Sequence, residues 1–255
     1  MTTPAAVTVA DLSSASSDSH QLAAATHIGP VRQENQDVFA ATPLRGGEGV
    51  ALLVADGMGG LPGGGEAASA AAAAAVAVLA AGRAERETVL AAVLAANSAV
   101  GALRAEIGGQ PGTTLTIAAV DGVRAVIGHA GDSRAYLVRG GDARVLTSDH
   151  SWVGEQVRAG VLTPGSERRH PRRNVITRAV MGDELEPEAP AIELHAGDVL
   201  MLCSDGFWEP LADEDIASLL ETPGPLTAVL ERAVGAALDA GATDNVTVIA
   251  IRLGG

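Results

Sequence analysis

Four aspartates lie at the ends of apolar runs, each beside a glycine or a small polar residue. They are Asp56 after residues 50–55, Asp132 after residues 126–130, Asp205 after residues 199–204, and Asp244 before residues 246–251. Short apolar runs bounded by turn residues are typical of buried β-strands, so each carboxylate is expected at the rim of a sheet. Carboxylates drawn together repel one another unless cations lie between them. The simplest interpretation is an all-oxygen site that holds more than one divalent cation.

The segment after Asp56 reads GMGGLPGGG, so the backbone can turn sharply and bring a carbonyl beside whatever Asp56 binds. A carboxylate and the carbonyl of Gly57 are hard oxygen ligands that suit Mg²⁺ or Mn²⁺. A strand, a glycine-rich loop and a helix also describe a dinucleotide site. However, Pro62 occupies the position where the G-x-G-x-x-G fingerprint requires its last glycine.

A second polar cluster, VRQENQD at residues 31–37, lies between apolar runs. One interpretation is a solvated turn. The other is that Arg32 binds an anion, while Asn35 and Asp37 arrange the loop around it.

Residues 162–174 place four arginines in a proline-bounded loop of an acidic chain. The loop is either a solvated basic segment or a mobile flap that meets an acidic or phosphorylated partner. Both interpretations stay open on the sequence.

Composition narrows the class of protein. The chain has 255 residues, a formal net charge of −14 and a pI near 4.7, which disfavours nucleic acid or an anionic membrane as the main partner. It contains no lysine, so arginine forks must make the anion contacts. A single cysteine, Cys203, fits a reducing compartment, and neither a signal peptide nor an apolar stretch of about 20 residues is present. We therefore expect a cytoplasmic protein without a membrane span.

The pattern of elements predicts one α+β domain. Residues 1–20 are small, polar and serine-rich, and are expected to form a flexible tail. Residues 21–255 contain many short strands, joined in the middle by Asp-Gly turns typical of antiparallel hairpins. Two helix pairs are inserted between them, at residues 66–81 with 84–107 and at residues 213–220 with 225–239.

Eight collinear motifs resemble those of the metal-dependent type 2C (PPM) protein serine/threonine phosphatases of bacteria. They are VRQENQD, VADGMGG, GTTLTIA, GHAGDSRAYLVR, LTSDHS, HPRRNVITRAVMG, GDVLMLCSDGFWE and GATDNVTVIAI. The resemblance implies a four-layer α-β-β-α sandwich, in which helix pairs flank two antiparallel β-sheets and a metal centre lies at one end. It also implies hydrolysis of phosphoserine and phosphothreonine by direct attack of a water molecule that two cations share.

The resemblance implies a role for each candidate residue. Asp56 would bridge two Mn²⁺ or Mg²⁺ ions, with the Gly57 carbonyl on one ion. Asp205 and Asp244 would bind the other ion, and Asp132 would bind a weaker third ion together with Asp205. Arg32 would bind the substrate phosphate. Asp37 would support the metal-bound waters.

Two positions depart from some relatives of that family. Gln36 stands where a glutamate helps to hold a metal, so that metal would be held with one less charge. Met58 stands where a histidine is proposed as general acid, and a thioether donates no proton. The expected partners are phosphorylated proteins, including a bacterial serine/threonine kinase and its substrates, and the expected state is a monomer. The alternative is a catalytically silent module that binds phosphoproteins.

Overall fold

The computed structural model describes residues 6–16, 20–47, 49–58 and 63–254. Within these residues the strands are β1 (Thr8–Asp11), β2 (Gln21–His27), β3 (Asp37–Pro43), β4 (Val50–Met58), β5 (Gly112–Thr113), β6 (Leu115–Asp121), β7 (Arg124–Ala130), β8 (Arg134–Arg139), β9 (Asp142–Val145), β10 (Ala191–Glu193), β11 (Val199–Cys203) and β12 (Val246–Arg252). The α-helices of the same residues are α1 (Gly64–Ala81), α2 (Arg86–Ile107), α3 (Trp152–Arg158), α4 (Asp205–Trp208), α5 (Asp213–Leu220) and α6 (Leu226–Asp239).

The strands form two antiparallel sheets. The first has the order β1-β2-β12-β11-β8-β9, and the second has the order β10-β7-β6-β4-β3, with β5 paired to β4. Helices α5 and α6 cover the outer face of the first sheet, and α1 and α2 cover the outer face of the second. This arrangement confirms the predicted α-β-β-α sandwich.

Strand β4 shows how the layers are held together. Its odd-numbered residues Ala51, Leu53 and Ala55 pack into a cluster with α1 and α2, whereas Leu52 and Val54 pack into the cluster between the two sheets. Successive side chains of a strand point to opposite faces, so a strand covered on both faces reads as a continuous apolar run. The apolar run that predicted this strand therefore reflects burial from both sides.

Helices α1 and α2 are long and apolar enough to cross a membrane by length and composition. Their buried residues, mostly alanine and valine, join the second sheet in one core cluster. Because alanine side chains are short, the two helices pack close to each other and to the strands beneath. Burial in this cluster accounts for part of their apolar character, since 39% and 33% of their apolar stretches are buried.

The predicted tail is partly wrong. Residues Thr8–Asp11 form β1, which pairs antiparallel with β2, and Val9 packs against the core of the first sheet. The physical reason is that β2 would otherwise present an unpaired edge, which β1 covers. Residues 1–5 and 17–19 of the predicted tail lie outside the described residues, as do residues 59–62 of the glycine-rich segment.

Glycine at position 206 is required by a close approach of two backbones. A Cβ atom there would lie 2.1 Å from the carbonyl oxygen of Asn245, whereas a Cβ atom at Gly235 in α6 would meet nothing within 4 Å. We expect Gly206→Ala to lower the free energy of unfolding by about 2 kcal/mol or more, because backbone must shift to accept it.

The matched control is Gly235→Ala, which should stabilise the protein by roughly 0.5–1 kcal/mol because alanine is the better helix former. Urea unfolding of both variants measures the two effects. Equal changes in the midpoint would contradict the assigned clash.

Candidate metal centre

The chain brings its strand-end aspartates to one end of the sandwich. Asp37 at the start of β3 stands directly opposite Asp56 near the end of β4. Asp205 follows β11 as the first residue of α4, and Asp244 lies two residues before β12. Asp132 lies in the turn between β7 and β8. Both sheets therefore deliver carboxylates to the same rim, as the sequence predicted.

Four of these five aspartates line one cavity of about 330 Å³, and Asp37 lies outside its lining. All five predicted metal-binding residues line it, together with Arg32, Gln36 and Met58; the full lining is Arg32, Gln36, Asp56, Gly57, Met58, Asp132, Asn174, Ile176, Asp205, Asp244 and Asn245. Histidine is absent from this lining among the described residues. The donors are carboxylate, amide and backbone oxygens, which is the ligand set of hard divalent cations.

Burial and mutual repulsion raise the carboxylate pKa values. Burial raises the pKa of Asp37 to about 6. Burial and then the charge of Asp149 raise the pKa of Asp132 to about 7. The pKa values of Asp56 and Asp205 lie well above their usual range, because both are buried and both face other aspartates. Each of these four carboxylates therefore holds its proton more tightly than an isolated one, because burial and the neighbouring acids oppose its negative charge.

Two carboxylate oxygens in this cluster, Asp37 Oδ1 and Asp205 Oδ1, are buried and accept no hydrogen bond. Buried polar atoms without partners are costly and uncommon in native proteins. A divalent cation would bind the orphaned oxygens and stabilise the charged form of the carboxylates, so the residues present fit such an ion. No three His, Cys, Asp or Glu side chains of the described segments yet stand close enough to hold one ion together.

Arg32 is paired with one of the candidate ligands. Its Nη2 donates a 2.6 Å hydrogen bond to Asp244 Oδ2, and about half of its side chain, 46%, is exposed. The other oxygen, Asp244 Oδ1, accepts a 2.8 Å hydrogen bond from the backbone N–H of Asn245. Arg32 therefore lines the cavity with its Nη2 engaged by Asp244.

The loop that carries Arg32 is fastened by one buried amide. Asn245 Nδ2 donates to the carbonyl oxygens of Ile28 and Glu34 at 2.8 and 2.9 Å, and its Oδ1 accepts from the N–H of Gln36 at 2.9 Å. Residues 28–36 are thus tied to the segment that carries Asp244. Within this loop, Asn35 Oδ1 accepts a 3.2 Å hydrogen bond from Asp37 N–H.

Hydroxyl groups position the buried acids. Ser204 Oγ donates to Asp37 Oδ2 at 2.7 Å and accepts from Thr247 N–H at 3.0 Å, which ties the two sheets together beside the cavity. Thr113 Oγ1 donates to the carbonyl of Asp56 at 2.9 Å, and the N–H of Asp56 donates to Thr114 Oγ1 at 2.9 Å. Sequence reasoning did not identify these hydroxyls, because their partners are distant along the chain.

The basic loop lies beside the cavity, but its arginines differ. Arg168 donates to Asp213 Oδ1 and to the carbonyl of Trp208, and Arg173 donates to Glu209 Oε2 at 3.1 Å. These bonds hold the loop against α4 and α5. The interpretation of a purely solvated basic segment is therefore wrong for these two arginines.

Comparison with known proteins agrees with this geometry. The chain matches the family model described as Protein phosphatase 2C over residues 27–240. The serine/threonine protein phosphatase PstP of Mycobacterium tuberculosis is 39% identical over 240 residues, which cover 89% of this chain and 44% of PstP. The chain thus spans less than half the length of that relative.

Solved structures are similar over nearly the whole chain. The crystal structure of M. tuberculosis PstP/Ppp has a TM-score of 0.83 at 36% identity and covers 92% of this chain and 99% of that one. The catalytic domain of PstP in complex with two manganese ions has a TM-score of 0.81 at 34% identity, with the same coverage. The fold and site define an α+β sandwich with an acidic, oxygen-lined centre. The chain belongs to the protein phosphatase 2C family.

The raised pKa of Asp132 predicts that its ionisation destabilises the folded protein, and that the neutral variant Asp132→Asn avoids this destabilisation. Its pKa in the folded protein is about 7 against a usual 3.8, so the folded state loses stability as the pH rises from about 4 to about 7. The upper bound of that loss at pH 8 is about 4 kcal/mol. Without added metal, Asp132→Asn should therefore raise the melting temperature at pH 8 by roughly 5–10 °C.

The difference between variant and wild type should shrink as the pH falls below 7 and vanish only below about pH 4, where the aspartate is protonated in the unfolded state as well. The difference is the proper readout because burial lowers the pKa of His129 to about 4 and of His150 to about 3. Those groups act in the opposite sense in both proteins. Calorimetry in EDTA measures the melting temperatures of both proteins at each pH. The control is Asp142→Asn at the exposed start of β9. A rise in melting temperature that does not depend on pH would contradict the assignment.

Proposed function

We propose that this chain is a metal-dependent protein phosphatase that hydrolyses phosphoserine and phosphothreonine in proteins. The observation that carries the proposal is the single cavity in which Asp56, Asp205 and Asp244 meet Arg32. Clustered acids with orphaned oxygens fit divalent cations, and a guanidinium beside them fits a phosphate. The relatives are named serine/threonine protein phosphatases, which supports the same activity.

Each acid has a separate part in this proposal. Asp56 and the Gly57 carbonyl would hold one Mn²⁺ or Mg²⁺ ion, and Asp56, Asp205 and Asp244 would hold a second. Asp132 and Asp205 would hold a third, weaker ion. When bound, such ions acidify a water molecule for attack on phosphorus and neutralise the phosphoryl oxygens.

The chain's own residues bind and orient the substrate. The planar guanidinium of Arg32 can donate to two phosphoryl oxygens. This interaction would become stronger as negative charge develops on those oxygens in the transition state. Asp37 is held by Ser204 Oγ at 2.7 Å, and its buried Oδ1 has no partner among the described residues. That oxygen would orient a water molecule beside the centre by accepting a hydrogen bond. Met58 lines the cavity without a proton to give, so the leaving oxygen would take its proton from water.

Gln36 also lines the cavity, and its Oε1 would lie 2.9 Å from a Cβ atom added at Gly64. It offers a neutral oxygen where a carboxylate would add charge, so we propose that it loosens the hold on the neighbouring ion. The substrates would be phosphorylated proteins, including a bacterial serine/threonine kinase and its targets. The protein would act on them as a monomer in the cytoplasm. Nucleic acid is disfavoured as a partner by the net charge of −14.

The activity is tested with purified protein on p-nitrophenyl phosphate and on a phosphothreonine peptide, each with Mn²⁺, with Mg²⁺ and with EDTA. We expect hydrolysis of both substrates only with a divalent cation. Asp205→Asn should lower kcat at least 100-fold because an anionic ligand is lost, while Asp142→Asn should leave kcat unchanged. Metal-independent hydrolysis, or phosphopeptide binding without hydrolysis, would overturn the proposal; the second result would favour the silent module.

The pairing of Arg32 with Asp244 predicts opposite effects on metal binding and on hydrolysis. Arg32→Ala frees Asp244 Oδ2 and removes a positive charge from the cavity, so affinity for Mn²⁺ should rise about threefold. Hydrolysis of phosphopeptide should fall at least 100-fold, because the phosphate loses its guanidinium.

Isothermal titration calorimetry with Mn²⁺ measures the first effect without any turnover. Arg124→Ala, a loss of the same charge at an exposed position of β7, is the control and should leave the Mn²⁺ affinity unchanged. Weaker Mn²⁺ binding by Arg32→Ala would show that Arg32 supports the metal centre rather than competing for it.

A further inference from the structure

A second and larger cavity opens beside the metal centre. This groove has a volume of about 890 Å³, which is within the range of pockets that enclose a ligand of several residues. It shares Arg32, Asn174, Asp205 and Asp244 with the metal centre, so a chain lying in the groove can present one residue to the acids. Its walls come from the basic loop on one side and from α4, the start of α5 and residues 240–244 on the others.

Most cations of the groove already have partners. Arg32 is paired with Asp244, and Arg173 with Glu209. Arg168 is paired with Asp213, and only 14% of its side chain is exposed. Its guanidinium also lies 5.4 Å from the ring centroid of Trp208. Arg168 and Arg173 hold the protein's own structure, and Arg32 is already assigned to the phosphate, so none of the three is left to recognise a neighbouring side chain of the substrate.

Arg169 is the exception. It is exposed, it lines the groove, and the structure shows no hydrogen bond or ion pair for it within the described residues. Its backbone is well held, because it follows the anchored Arg168 at the end of the 3₁₀ turn Ser166–Arg169. Ser166 Oγ closes the start of that turn by donating to the carbonyl of Thr163 at 2.6 Å. An unpaired guanidinium is thus presented from a turn whose neighbouring residue Arg168 is bonded to Trp208 and Asp213.

We propose that Arg169 binds an acidic side chain of the phosphoprotein substrate, a few residues from the phosphoserine or phosphothreonine held at the metal centre. This inference rests on the proposed function. Elsewhere the chain's net charge of −14 repels acidic segments, so one unpaired arginine beside the reaction centre gives local complementarity. Asp215, exposed on α5, also lines the groove and would favour a basic residue at a second position.

The same loop supplies a matched control. Arg172 is also exposed, but its guanidinium lies over the Trp152 ring at 4.8 Å, and it does not line the groove. Arg169→Glu and Arg172→Glu therefore change the net charge equally, three residues apart. Only the first places the new charge in the groove.

The test uses phosphothreonine peptides in which one neighbouring position at a time carries Glu, Gln or Lys, together with p-nitrophenyl phosphate. For wild type, Glu at one or two positions should raise kcat/KM about fivefold over Gln. Arg169→Ala should abolish that preference, and Arg169→Glu should reverse it in favour of Lys. All variants, Arg172→Glu included, should hydrolyse p-nitrophenyl phosphate at the wild-type rate, and Arg172→Glu should keep the preference for Glu.

Equal loss of the preference in Arg169→Glu and Arg172→Glu would overturn the inference, because it would reflect overall charge rather than a contact. Wild type without any preference for Glu would overturn it as well. In both cases metal-dependent hydrolysis of p-nitrophenyl phosphate would leave the proposed function intact. Absence of hydrolysis of every substrate would overturn the proposed function, and the inference with it.

Discussion

Repulsion among acids drawn from both sheets is the constraint on which this end of the molecule depends. Asp37, Asp56, Asp132 and Asp205 all have raised pKa values, chiefly through burial. Nothing in the fold's own packing requires carboxylates there, and each would be cheaper to fold as a neutral side chain. The rest of the sandwich supplies the rigidity that keeps them together. Such stored unfavourable energy is typical of sites that perform chemistry.

That rigidity comes from backbones that approach each other closely. Gly206 lies against the carbonyl of Asn245, and a Cβ atom at Gly29 would lie 2.1 Å from the carbonyl of Asp244. Gly29 also has φ +80°, which favours glycine for a second reason. The two contacts hold the Arg32 loop and α4 against the strand that follows Asp244. Side-chain hydroxyls such as Ser204 then fix the acids within this backbone frame.

The sequence predicted what depends on local pattern. Apolar runs predicted the buried strands, and the aspartates at their ends were expected to converge because strands of one sandwich share its rims. The tail was partly wrong because the pairing of Thr8–Asp11 with β2 depends on an open sheet edge, which a serine-rich sequence does not reveal. The different roles of Arg168 and Arg169 were also not predictable, since Trp208 and Asp213 lie about 40 residues further along the chain.

The amide of Asn245 has a consequence for the lifetime of the protein. Hydrolysis of that amide to a carboxylate would replace two donated hydrogen bonds with an oxygen facing the carbonyls of Ile28 and Glu34. It would also add another negative charge next to Asp244. A chemically aged molecule would keep every candidate metal ligand and still release the loop that carries Arg32. Deamidation of Asn245 during storage would thus impair phosphate recognition while the protein stays folded.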